Sequence, residues 1–101
     1  MVKDQTALKQ LCSWIMTDIE VDAAPGQDIL NFAVARLTEA RKQEANILIA
    51  EILNGNPSDW ELERQWFRNG ARIGAVNPAF YRRLFQELKD RLAGKPATFR
   101  F

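Results

Sequence analysis

The chain has 101 residues, 47% of them apolar, with one cysteine, no histidine and a formal net charge of +1. That length and apolar content suit a single domain over 1–101, able to bury a core without disulfides or a structural metal, and no run of about 18 apolar residues is present to cross a bilayer. Without histidine the usual general base near neutral pH is missing, and so is the usual activator of a serine or cysteine nucleophile, which excludes a Ser-His triad or Cys-His dyad.

Met1 to Thr6 holds no apolar stretch of the kind that directs export, so a cytoplasmic protein is expected. A first helix is predicted over about 4–21, with Asp4 as its cap. Leu8, Leu11, Cys12, Ile15 and Ile19 share one stripe, and Trp14 and Met16 lie at its edges. Cys12 falls on that buried stripe and reads as a structural thiol. Ala23-Ala24-Pro25-Gly26 then interrupts the pattern. A second helical stretch runs over 28–54 without Gly or Pro, its stripe being Leu30, Ala33, Val34, Leu37, Leu48 and Ile52, with Arg41 and Glu44 set into it. Unbroken, it would extend roughly 40 Å at 1.5 Å per residue, so a bend is expected near 38–44 unless the helix projects. Its end, Ile47 to Leu53, is apolar nearly all the way round and must be covered on several sides.

The third helix is predicted over 58–69, where Ser58 and Glu61 have capping-box spacing. Trp60 and Phe67 share one of its faces, Leu62 and Trp66 another. The fourth, over 77–93, opens on Asn77-Pro78 and carries Phe80, Tyr81, Leu84, Phe85, Leu88 and Leu92 along its stripe. No segment alternates with period two. The expected fold is therefore all-α, a compact bundle of four to five helices with no sheet.

Charge is unevenly placed. Residues 1–63 hold five Lys/Arg against eleven Asp/Glu, whereas residues 64–101 hold nine against two. The acids Asp18, Glu20, Asp22 and Asp28 alternate as at the start of a calcium loop. That loop, however, needs Gly at its sixth position and Glu at its twelfth, where this chain has Ala23 and Ile29. Neither a zinc cluster nor a glycine-rich phosphate loop is present. No metal, cofactor or small-molecule substrate is expected, and Ser58 reads as a helix cap rather than a nucleophile.

Two macromolecular readings remain. In the first, a helix-turn-helix DNA-binding regulator uses residues 59–93, with Arg82, Arg83, Gln86 and Lys89 presented outward, Arg64, Arg72 and Lys95 available to phosphates, and Arg68 on the same candidate anionic-partner face. That reading needs Ala71–Ala75 to be helical, because the connection is otherwise longer than the usual three or four residues. The run from Gly74 to Phe85 resembles the second helix-turn-helix of AraC-type regulators. The interval from Phe85 to Gly94 is longer than in that family, the Gly-to-Pro spacing differs by one, and no first helix-turn-helix precedes it, so no family function is carried over. The second reading, which the residues favour, is a small non-enzymatic interaction protein (adaptor, inhibitor or regulator) that binds a protein partner through helical surfaces, with a homodimer among the arrangements open to it. Its candidate interface is Ile47, Ile49, Ile52, Leu53, Trp60 and Trp66, since three tryptophans and an all-round apolar turn exceed the needs of one thin core.

Overall fold

A computed structural model describes residues 5–15 and 28–99. Its elements are α1 (Thr6–Cys12), α2 (Ile29–Ala35), α3 (Glu39–Asn54), α4 (Asp59–Arg68), a single 3₁₀ turn (Pro78–Phe80) and α5 (Tyr81–Leu92). The described residues form an all-α bundle without strands. The longest helix, α3, packs between α1 and α5, and α4 and α2 flank α5.

Each element follows from local chemistry, with one departure from the sequence expectation and one shift in where an expected bend falls. First, α1 stops at Cys12 instead of continuing to 21. The Ser13 hydroxyl donates to the Gln10 carbonyl at 2.7 Å, and Trp14 and Ile15 close i−3 bonds on Leu11 and Cys12. Such local bonds compete with helix propagation. Ile15 is still fully buried, but from a turn, and its carbonyl accepts from the Arg72 amide at 2.8 Å. Residues 16–21 and the proposed Asp4 cap lie outside the described residues; Gln5 occupies the cap position without a side-chain bond. Second, the 28–54 stretch is two helices, and the break falls at 36–38, just before the expected bend. Asp28 caps α2 by accepting from Asn31 N, and Thr38 caps α3 by accepting from Arg41 N at 3.2 Å. Division leaves α3 with 16 residues, roughly 24 Å long, which a domain of this size can accommodate. Arg41 and Glu44, which interrupted the apolar stripe, pair with each other at 2.8 Å on a half-exposed flank.

Ser58 caps α4 through Glu61 N, and Asn77 caps the 3₁₀ turn through Ala79 N, as their spacing predicts. The core is built around Trp66, Tyr81 and Phe85. Trp66 meets Phe85 edge-on at 5.4 Å and Tyr81 at 6.0 Å, and Leu62, Leu84, Leu88, Leu8, Leu11 and Ile49 close around them. Edge-on aromatic pairs contribute about 0.5–1.5 kcal/mol each beyond the area they bury. At the other end of the bundle Trp14 and Phe32 meet edge-on, and the Arg36 guanidinium lies 4.2 Å above Phe32.

The connection 69–77 carries no helix and is held down by side chains from the elements it joins. Trp66 Nε1 donates to the Ile73 carbonyl at 2.7 Å, while the Tyr81 hydroxyl accepts from Ala75 N and donates to Ala75 O. Gly74 is required here: a Cβ at this position would overlap the Tyr81 hydroxyl and come within 2.6 Å of Phe67 Cζ.

Candidate functional site

The first candidate surface, the end of α3, is largely consumed by the fold. Ile49 is fully buried, and Ile52 and Leu53 are half-buried against the core. The all-round apolar turn is covered by α1 and α5, which leaves Ile47 alone outside at 56% exposure. Trp66 is likewise a core residue, because α5 offers it two aromatic partners and the 69–77 connection a carbonyl for its indole N–H. Ile49 and Trp66 are therefore removed from the interface expected from sequence.

Trp60 behaves in the opposite way. It sits on the outer face of α4 at 62% exposure, and the Arg64 guanidinium lies 5.1 Å above its indole ring. Phe67, seven residues on, is 43% exposed on the same face. Arg68 and Arg72 continue the exposed surface beyond it. Among the described residues Arg64, Arg68 and Arg72 form no ion pair with a carboxylate. The first half of α4 carries Asp59, Glu61 and Glu63, and the second half Arg64 and Arg68. Charge thus reverses midway along an aromatic stripe.

The expected nucleic-acid face on α5 is partly engaged within the molecule. Arg82 donates to the Pro57 carbonyl. Arg83 donates to Thr98 Oγ1 at 3.1 Å and lies 5.3 Å over Phe99. Gln86 bonds Asp90, and Lys89 is half-buried with its carbonyl accepting from Asn46. Nine residues without helix separate α4 from the 3₁₀ turn, so Ala71–Ala75 is not the helical piece that a compact helix-turn-helix needs. The indole of Trp66 and the phenol of Tyr81 tie that stretch down at Ile73 and Ala75. No family model, curated protein or solved structure matches this chain.

One polar centre escapes sequence reasoning. Arg91 and Glu87, one turn apart on α5, are each only 2% exposed at the side chain and bond at 2.8 Å. The guanidinium also binds Asp28 at the start of α2, Asn31 at 3.2 Å and the Phe99 carbonyl, while Glu87 accepts from the amide and hydroxyl of Thr98. Burial pushes the Glu87 carboxyl up, but hydrogen bonds from Thr98 and Arg91 and the Arg91 charge outweigh it and hold the group below its ordinary value. Burial likewise disfavours charged Arg91, and Asp28 and Glu87 more than reverse this. The cluster fastens α2 and the strap that follows α5, residues 94–99, to α5. Every member faces a partner inside the protein, so it reads as structural.

Elsewhere the chemistry is sparse. Cys12 is fully buried, and burial pushes its thiol up to about 12. No group of three His, Cys, Asp or Glu capable of holding a metal occurs among the described residues. The acids at 18, 20 and 22 lie outside them, and Asp28 is engaged as a cap and with Arg91. An open groove of about 410 Å³ is lined by Ala75, Val76, Asn77, Ala79 and Phe80, none of them titratable. No helix among the described residues is long and apolar enough to cross a membrane.

Proposed function

We propose that this chain is a small, non-enzymatic, cytoplasmic interaction protein that binds a protein partner through the outer face of α4. One observation carries the reading: Trp60, the largest exposed apolar side chain among the described residues, lies under the Arg64 guanidinium and is continued by Phe67 along one helical stripe. Anchors at i, i+4 and i+7 are how one helix presents a docking edge to another protein, and Trp and Arg are the residue types that dominate binding energy at such edges. Most of the Trp60 surface stays in water in the monomer, and burying it would release about 25 cal/mol for each Å² covered.

A protein suits this surface better than a nucleic acid does. Asp59, Glu61 and Glu63 lie on the same short helix as Arg64 and Arg68 and would repel a polyanion. On α5, Arg82 and Arg83 are turned to Pro57 and Thr98.

Affinity recovery from native lysate, with and without nuclease, tests the reading. Wild-type protein should recover a stoichiometric protein regardless of nuclease, Trp60→Ala should lose it, and Ile47→Ala should keep it. Nuclease-sensitive recovery that ignores Trp60→Ala would replace this reading with a nucleic-acid one.

A further inference from the structure

Resting on that reading, we infer that the α4 face takes a second copy of this chain, packed antiparallel about a two-fold axis that passes midway between residues 63 and 64. Apolar and charged positions on α4 agree on this register independently.

Trp60 and Phe67 lie two turns apart, about 10 Å along the helix. An antiparallel copy centred between them sets Trp60 against Phe67 of the second copy, and by symmetry Phe67 against Trp60 of the second copy. Both are exposed, so nothing must be displaced from the core. Charge supports the same arrangement. Glu61, Arg64 and Arg68 form one flank of the stripe, since 100° per residue places all three on the same side of Trp60 and Phe67. All three are exposed, and none is ion-paired among the described residues. In the antiparallel register Glu61 faces Arg64 and Arg68 of the second copy, and the two-fold repeats the contact. A parallel arrangement sets Glu61 against Glu61 and Arg68 against Arg68. The step from the acidic to the basic part of the whole sequence also falls between Glu63 and Arg64, at the proposed axis.

Glu63, on the flank toward Tyr81, and Arg64, on the other flank, each lie beside the axis and meet their own copy there, so two repulsive contacts oppose four attractive ones. The interface is a single helix face, well below the area of a permanent dimer, so association is weak, concentration-dependent and weakened by salt.

Sedimentation velocity on the full chain, over a dilution series from micromolar to near-millimolar at low salt, tests this. Wild type should pass from monomer to dimer mass, and Trp60→Ala should remain monomeric. The charge register is tested by Glu61→Lys and by Arg64→Glu with Arg68→Glu. Each variant alone should be monomeric where wild type dimerises, and an equimolar mixture of the two should regain dimer mass. Since these positions are exposed, unchanged circular dichroism controls for folding. Wild type that stays monomeric throughout overturns the inference, even if Trp60→Ala still abolishes recovery of a different protein, which would leave the interaction reading intact. A dimer that survives Trp60→Ala and both charge variants also overturns it.

Discussion

Replacing Arg91 by methionine removes the cation that pairs with Glu87 and Asp28 while keeping most of the side-chain volume. Methionine cannot make the 2.8 Å bond to Glu87, the ion pair with Asp28, or the bonds to Asn31 and the Phe99 carbonyl. Glu87 and Arg91 side chains are 2% exposed and Asp28 11%, so water cannot easily replace the guanidinium. Leaving a buried charge unpaired costs about 3–5 kcal/mol, a large share of the roughly 5–15 kcal/mol that holds a domain of this size together. At about 4–8 °C per kcal/mol, the melting temperature should fall by more than about 10 °C. Thermal and urea melts followed by circular dichroism read this directly. Arg91→Met with Glu87→Leu should lose less than Arg91→Met alone, because the stranded carboxylate is then gone. A loss below about 1 kcal/mol for Arg91→Met, well short of the cost of a stranded buried charge, would refute the view that this cluster fastens α2 and the strap to α5.

Three further outcomes follow from named groups. Glu87 titrates below its ordinary value in the folded protein, so it contributes stability that is fully present above the unfolded carboxylate range, near 4.3, and is lost as pH falls through the folded value. Acid titration of stability should show this loss in wild type and a flatter profile in Glu87→Gln; identical profiles would show that Glu87 carries no acid-sensitive stability. Gly74→Ala should cost about 1–3 kcal/mol by urea titration, since its methyl meets the Tyr81 hydroxyl and the Phe67 ring, and an unchanged midpoint would show that the 69–77 connection can yield. Cys12, with its thiol pushed up to about 12, should not react with Ellman's reagent in native protein at mildly alkaline pH and should react fully in denaturant.

Much of the architecture was legible because it rests on local rules. Ser58 with Glu61, and Asn77 with Pro78, announce helix starts by side-chain oxygens that reach backbone amides three or two residues ahead, and the structure uses both. The division of α4 into a Leu62/Trp66 face and a Trp60/Phe67 face was also visible at helical spacing. Which face turned inward was not, because it depends on Tyr81 and Phe85 arriving from another helix to meet Trp66. The break at 36–38 had a signal, Thr38 as a capping residue, but a pattern without Gly or Pro conceals a cap. Arg91 and Glu87 read as surface charges one turn apart. Their burial depends on Asp28, 63 residues away, and on a strap whose Thr98 and Phe99 supply polar groups that no local pattern reveals.

The proposed function requires the outer face of α4 to meet a protein. Site-specific photocrosslinking from position 60 in native lysate tests it most directly, with position 47 on α3 as the comparison. A discrete protein adduct is expected from position 60, whether a second copy or another chain, and little from position 47. An adduct to nucleic acid from position 60, or a protein adduct from position 47 alone, would contradict the claim.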